Sequence, residues 1–460
     1  MSSVTTGRRA AGVGTKAPHR PRKTPTKTPT RKPAERATAR RRGGAAEGDG
    51  GPSLLHFGKL ESPLTTYYLL LGVTTTLVVF GLIMVFSASS VEALLADKAF
   101  YTDFVRQLLF AVAGAAVAAW AARWPVRWWR RLAGVSLVGA VALQAAVFVP
   151  GLGVKHQGNL NWLDLGIIQL QPSEFAKIAL VLTGAAIFTN KGSLVGNWLH
   201  AILPFVLPIS AVVLALVLGG NDLGTGLVMG LIVVAVLFVA GAPKRLFVIG
   251  GAGLVAGIIV LVTSSTNRTA RISNWLDPTC QSDPDGWCGQ SVHGLYALAD
   301  GGWWGVGLGG SKEKWKWLAE AHNDFIFAII GEELGLPGTL LVLVLFGVLA
   351  WACYRLVTRT QDRFIRVASA GVMAWLIGQA TINIGSVIGL FPVVGVPLPL
   401  VSAGGSSLVT TLLALGMLLS FARSEPGCRA LLAARPGVIN RTLSVLPSRR
   451  PARSTRRRKR

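Results

Sequence analysis

The sequence predicts an all-α polytopic membrane protein with about ten transmembrane helices. Three observations carry that expectation. Of 460 residues, 51% are hydrophobic and only 15% charged, with a mean hydropathy of +0.51; a soluble domain carries about 25% charged residues. Ten stretches approach the roughly 20 apolar residues that a bilayer crossing needs. Basic residues cluster in every second loop between those stretches, the alternation that sets membrane orientation. The length excludes a small disulfide scaffold, and so do only four cysteines.

The spans are expected at about 66–87, 104–122, 132–150, 173–189, 199–218, 223–241, 246–263, 325–354, 368–390 and 405–421. The fourth is short and carries Glu174 and Lys177. The eighth is interrupted by Gly335 and Pro337, so two pieces are an alternative there. Arg123, Arg127, Arg130 and Arg131 lie between spans two and three. Lys191 follows span four, Lys244 and Arg245 follow span six, and Arg355, Arg359, Arg363 and Arg366 follow span eight. With the N-terminus cytoplasmic, all of these fall on the inner side. Trp124, Trp128 and Trp129 suit an interfacial aromatic belt. The longest outer loop, about 264–321, joins helices seven and eight.

The net charge of +25 lives mostly in two tails. Residues 1–60 hold 14 Lys and Arg against 3 acids, and residues 422–460 hold 12 against 1. The chain therefore divides into a disordered basic tail (1–62), a membrane body (63–421) and a second basic tail (422–460), both tails cytoplasmic. The tails fit contact with anionic lipid or recruitment of other proteins, and nucleic acid is not expected as a partner. No apolar stretch precedes residue 60, so the first span is expected to act as an uncleaved membrane signal. Cys280 and Cys288 in the outer loop are a disulfide candidate, with two free thiols as the alternative. Cys353 and Cys428 are expected to be reduced. No His and Cys spacing resembles a metal site.

Ionisable groups inside spans are costly, so each is a functional candidate. In "QLQPSEFAKIAL", Pro172 suits a first helical turn, and Glu174 and Lys177 share a helix face. That pair either faces a substrate or simply fixes helix packing. In "AEAHNDFIFAIIGEELG", Glu320 and Asp324 are close to one face if the segment is helical. Asp324 opens an apolar run, where partial desolvation would raise its pKa toward that of a useful base, and His322 would tune it. The competing role for Asp324 is an ordinary N-cap. The segment 383–407, with three prolines and five glycines, breaks helix at membrane depth, where irregular backbone survives only if buried or lining a cavity. Trp162 in "NLNWLDLG" would stack on a sugar face or anchor at the interface.

These segments together resemble the family of shape, elongation, division and sporulation proteins that comprises FtsW, RodA and their sporulation relatives. The resemblance covers roughly 65–425. It rests on "NWLDLG…QLQPSEFAKIA", "DLGTGLVM" at 222–229, "SKEKWKWLAEAHNDFIFAIIGEELG", and the 383–407 signature with Asn383, Pro392, Gly395, Pro399, Ser402, Gly404, Gly405 and Ser406. The chain departs from the usual pattern at Asn161 (often Arg), Asn221 (often Pro), Ala319 (often Pro) and Asn323 (often Thr). Within the family the division type fits better than the elongation type.

The resemblance implies a peptidoglycan glycosyltransferase that polymerises lipid II at the outer membrane face and releases undecaprenyl diphosphate. It places the essential carboxylate at Asp324 and substrate contacts at Trp162, Gln171, Ser173, Glu174, Lys177, Glu320, His322, Asn383, Pro399, Ser402, Gly404, Gly405 and Ser406. Lys177, Arg271 or lysines of the long loop would meet the diphosphate. No cofactor is assigned, a divalent cation being an alternative counter-charge. Expected partners are a class B penicillin-binding protein, other division proteins and membrane lipids, at the division septum. The competing functions are a lipid II flippase, an elongation-type polymerase and a non-catalytic recruitment scaffold.

Overall fold

The computed structural model describes residues 62–431, apart from 96, 98, 157–158, 167–168, 264–265, 278–288, 316, 426 and 429–430. Residues 1–61 of the first basic tail, most of the second beyond Arg423, and the Cys280–Cys288 pair therefore lie outside the described residues. Thirteen α-helices are found among the described residues. They are α1 (Pro63–Leu95), α2 (Thr102–Ala121), α3 (Val126–Ala146), α4 (Pro172–Lys191), α5 (Trp198–Ala201), α6 (Ala211–Gly219), α7 (Leu223–Ala240), α8 (Lys244–Thr263), α9 (Thr266–Leu276), α10 (Gly289–Gly301), α11 (Ile326–Arg359), α12 (Arg363–Val387) and α13 (Gly405–Arg423). Among the described residues, eight helical segments are long and apolar enough to cross a membrane. Helices α3 and α8, with 21 and 20 residues, have spanning length but are not among those eight. The chain is a multi-pass membrane protein.

The fold is helical, as expected, with one small addition: β1 (Gly153–His156), β2 (Asn159–Asp164) and β3 (Gln169–Leu170) form an antiparallel sheet in the order β1-β2-β3. The fifth expected span is not one regular helix. It runs from α5 through a widened π-helical stretch, Ile202–Ser210, into α6. Pro204 and Pro208 each remove an N–H donor from that stretch, which breaks the regular ladder. The eighth span takes its two-piece alternative: two helical pieces of α11 meet at a kink at Gly335, whose φ of 65° and ψ of −155° are non-helical.

The basic loops gather at one end of the bundle. Arg130 pairs with Asp362 at 2.5 Å, Arg363 donates to Ala240 O at 2.8 Å, and Arg423 donates to Ala122 O at 3.0 Å. Those contacts tie the start of α12 to the start of α3 and the end of α7, and the end of α13 to the end of α2. The opposite end carries the starts of α4, α7, α11 and α13, the sheet and the long loop.

Helix pairs in a bilayer associate mainly by close van der Waals packing, which small residues permit. Helices α2 and α13 meet this way: a Cβ on Gly416 would sit 2.5 Å from Ala118 O and 2.7 Å from Ala118 Cα. That approach brings the first turn of α13 against α2. The loop between α10 and α11 is fastened by buried charge. Glu333 pairs with Lys314 at 2.9 Å and accepts from the Ser87 hydroxyl, while Glu332 accepts from Ser311 at 2.5 Å and from Lys312 N at 2.6 Å. Glu332 and Glu333, two turns into α11, thus hold the loop to α11 and α1.

Candidate active site

A cavity of about 550 Å³ opens at the end of the bundle away from the basic loops. Its walls come from α2, β2, the first turns of α4 and α7, the turn at 320–324, the 392–404 loop and the start of α13. Asp324, Trp162, Gln171, Glu174, Lys177, Glu320, His322, Gly404, Gly405 and Ser406 all line it. The segments singled out in the sequence therefore converge on one space.

Helix α4 starts at Pro172, as expected from its fixed φ and missing donor. Glu174 and Lys177, one turn apart, form a buried ion pair at 2.8 Å. Lys177 Nζ also donates to Gln379 Oε1 at 3.0 Å and sits 4.7 Å from the centre of the Trp375 ring. Trp375 Nε1 donates to the same Gln379 oxygen at 2.9 Å. The ammonium is thus held by a carboxylate, an amide oxygen and a ring face, and the pair both packs α4 on α12 and borders the cavity.

Asp324 is half-buried and sits in a turn. Helix α11 begins at Ile326 with Phe325 in the capping position and no side-chain cap, so Asp324 is not the N-cap. Its backbone is held from behind. Asn383 Nδ2 donates to Asp324 O and to Val396 O, both at 2.7 Å. The Ser402 hydroxyl donates to Asn323 O at 2.7 Å and accepts from Leu398 N at 2.8 Å. Ala403 N donates to His322 O at 3.0 Å. Gly395 has a φ of 73°, which disfavours a side chain, and a Cβ there would lie 3.4 Å from Asp324 Oδ2. The broken 392–404 loop is therefore a brace for the turn that carries Asp324.

That geometry corrects several expectations. Glu320 and Asp324 do not share a helical face, because Glu320 has a φ of 58° and the segment is a set of turns. The Glu320 carboxylate instead accepts from Asn323 Nδ2 at 2.5 Å. His322 is paired away from Asp324, its Nδ1 lying 2.9 Å from Glu92 Oε2 on α1. Asn383 and Ser402 are buried and bond backbone. Ser173 and Pro399 are buried too, and none of these four lines the main cavity. The Arg271 side chain lies outside the described residues.

Sequence reasoning passed over Arg106, Gln107 and Gln379, which also line the cavity. Arg106 sits inside the 104–122 stretch, so the rule that flagged Glu174 applies to it equally. Gln379 carries no such signal. Asp222 caps α7, accepting from Thr225 N and Oγ1, from Asn161 Nδ2 at 3.0 Å and from Gln171 Nε2 at 3.3 Å. Asn161 thus ties β2 to α7. Among the described residues, no group of three or more His, Cys, Asp or Glu side chains is placed to hold a metal ion.

Burial pushes the His322 pKa down, but the hydrogen bond and charge of Glu92, with Glu320 and Asp103 behind it, raise it above its ordinary 6.5. A raised folded-state value means the pair's stabilisation is complete below about pH 6.5 and fades as pH climbs through the higher folded value. Thermal unfolding of wild type should therefore lose stability across that interval. Glu92→Gln should lose less over the same interval; identical pH profiles would show that the pair contributes nothing.

Known proteins similar to this chain point to one family. The sequence model of the FtsW, RodA and SpoVE family, described as a cell cycle protein, matches residues 67–426. A Mycobacterium tuberculosis protein named probable peptidoglycan glycosyltransferase FtsW is 38% identical over 387 residues, covering 84% of this chain and 73% of its own length. Stage V sporulation protein E of Bacillus subtilis is 37% identical over 358 residues, covering 77% and 96% of this chain and its own length. A solved structure described as the structural coordination of polymerization and crosslinking by a peptidoglycan synthase complex is similar with a TM-score of 0.64 and 27% identity, over 78% of this chain and 97% of the other. The rod shape determining protein RodA of Thermus thermophilus is similar with a TM-score of 0.57 and 25% identity, over 78% and 97%. The chain belongs to the FtsW, RodA and SpoVE family and is a peptidoglycan glycosyltransferase.

Proposed function

We propose that this chain polymerises lipid II into glycan strands at the outer face of the cytoplasmic membrane, for septal wall synthesis, with Asp324 as the general base. The observation that carries the residue assignment is the placement of Asp324: a half-buried carboxylate on the wall of a cavity of mixed polar and apolar lining, on a turn braced by Asn383, Ser402 and the Gly395 loop. The 4-hydroxyl of the acceptor sugar loses its proton to Asp324 as its oxygen bonds to the anomeric carbon of the lipid-linked donor. The donor C1–O bond breaks, and its electron pair leaves with undecaprenyl diphosphate. An α-linked donor giving a β-linked product needs only one inverting displacement. Glu174, Lys177 and Gln379 hold the cavity floor rigid, and Trp162 offers a ring face for a sugar.

The basic residues that meet at one end of the bundle support a cytoplasmic position for that end, for the tails 1–62 and 422–460, and an outward cavity. The FtsW names of similar proteins support a division role over elongation. Similarity to a peptidoglycan synthase complex supports a crosslinking partner, a class B penicillin-binding protein, beside other division proteins. The test is lipid II polymerisation by the full chain with that partner in detergent. Glycan strands from wild type and none from Asp324→Asn are expected. Lipid II transfer across vesicles without strand formation would replace this reading with a flippase.

A further inference from the structure

We propose that Trp303 and Trp304, at the tip of a re-entrant loop stitched into the break of α11, dip into the outer leaflet of the membrane and fix the height of the catalytic turn above it. The inference rests on the outward cavity of the polymerase reading, and it takes residues 302–308 of the outer loop out of water and into lipid.

The backbone makes such a loop possible. A regular helix would pair the N–H of residue 336 with Glu332 O and that of residue 337 with Glu333 O. Gly335 interrupts the first bond, and Pro337 has no N–H for the second. The loop after α10 takes the groups this leaves. Val306 N donates to Glu332 O at 2.9 Å, Gly307 N donates to Glu333 O at 3.0 Å, and Leu336 N donates to Gly302 O at 3.1 Å. Gly305 N closes the turn on Gly301 O at 2.7 Å. Gly305 has a φ of 76°, and a Cβ there would lie 2.5 Å from Glu333 C, so only glycine lets the loop approach this closely. Irregular backbone survives at membrane depth when its polar groups are satisfied in this way.

The depth follows from helix length. From Arg355, at the basic end of the bundle, back to Gly335 the chain rises about 30 Å, close to the hydrocarbon thickness of about 30 Å. With Arg355 at the inner boundary of the hydrocarbon, Gly335 sits at the outer one. Residues 326–334 then rise above it toward Asp324. The loop lies directly against that level: a Cβ on Gly335 would be 2.8 Å from Trp303 O and 2.8 Å from Trp304 C.

The side chains match that position. Trp303 is 74% exposed and Trp304 84%, with Val306 and Leu308 exposed beside them. The stretch 301–310 carries no charge, and the exposed Lys312 that follows pairs with Asp300 at 3.6 Å. Exposed Leu336, Leu340, Leu341 and Val344 extend the apolar surface down α11, the part of the bundle that faces lipid. Indole rings favour the boundary between acyl chains and head groups. That continuity and that depth favour lipid over a protein as the occupant. The loop is also clasped to α11 by Lys314 on Glu333 and Ser311 on Glu332, and it runs on into the 320–324 turn. Its seat in the leaflet therefore sets how far Asp324 stands from the diphosphate of a lipid anchored in the same leaflet.

The test reconstitutes the full chain in vesicles of phosphatidylglycerol and phosphatidylethanolamine brominated at shallow or deep acyl carbons. It compares wild type with a Phe pair (Trp303→Phe with Trp304→Phe) and a Ser pair (Trp303→Ser with Trp304→Ser). The fluorescence difference between wild type and the Phe pair isolates the two indoles. Shallow bromines should quench that difference about twofold more than deep ones, and iodide on both sides of the vesicle should quench it little. In vesicles the Ser pair should polymerise lipid II about tenfold more slowly or worse, since a displaced reacting group can lose about a hundredfold, while the Phe pair stays within about twofold of wild type. In detergent all three should agree within about twofold, because no leaflet is there to set the height. A difference signal quenched by iodide and untouched by brominated lipid overturns the anchor. Wild-type vesicle activity in the Ser pair, at unchanged Tm, overturns its role in setting height. Loss of lipid quenching on adding the penicillin-binding protein would give the patch to that partner and overturn lipid as its occupant. Quenching is read without catalysis, so a wild type quenched by shallow bromines that makes no glycan overturns the polymerase reading and leaves the anchor standing.

Discussion

Asp324→Asn is expected to slow lipid II polymerisation by about 10²–10⁴-fold, the usual contribution of a positioned general base. The substitution keeps the size and one acceptor oxygen but cannot take the acceptor proton. The turn is held through backbone groups, by Asn383 Nδ2 on Asp324 O and Ser402 Oγ on Asn323 O, so the fold and Tm should be unchanged. Asp324→Glu should fall nearly as far, because one added methylene moves the carboxylate by more than the ~1 Å that can cost about a hundredfold. The side chain also faces the backbone at Gly395, where there is no room for rearrangement without moving the brace. Polymerisation in folded Asp324→Asn within threefold of wild type would remove Asp324 from the chemistry. Lipid II affinity should change little in Asp324→Asn, so loss of binding rather than rate would recast the residue as a substrate contact.

The membrane body was legible because hydropathy and basic loops are properties of composition and order, which folding does not rearrange. Glu174 and Lys177 were legible as a pair because a helix places residues three apart on one face, and they meet at 2.8 Å. The same periodicity misled at Glu320 and Asp324, where a left-handed residue at Glu320 replaces helix by turns. The sheet escaped notice because its strands have two to six residues, too few for an alternating pattern to stand out. The partner of His322 is Glu92 on α1, and no local spacing announces a contact made between distant elements. Asn383 and Ser402 show a further limit. A polar residue in a broken loop looks the same in sequence whether it binds substrate or backbone, and here both bind backbone. The loop thus acts on Asp324 indirectly, through the conformation of the turn.

The second large effect is expected at the buried ion pair. Lys177→Met leaves the Glu174 carboxylate, 2% exposed, without its counter-charge and should cost about 3–5 kcal/mol of stability. Glu174→Gln leaves the ammonium with Gln379 and the Trp375 ring, so its cost should be smaller. The double variant Glu174→Gln, Lys177→Met removes both charges and should recover most of the loss, since a buried pair replaced as a unit is often near neutral. Thermal unfolding of the four proteins gives the coupling energy directly. Polymerisation then separates packing from chemistry. If the pair only seats α4 against α12, activity should return with stability in the double variant. If it also shapes the cavity floor for substrate, the double variant should fold like wild type yet keep a raised KM for lipid II. The second result is expected, because Gln379 loses the ammonium that orients its amide while Glu174 and Lys177 both lie on the cavity wall. A double variant with wild-type KM and kcat would confine the pair to packing.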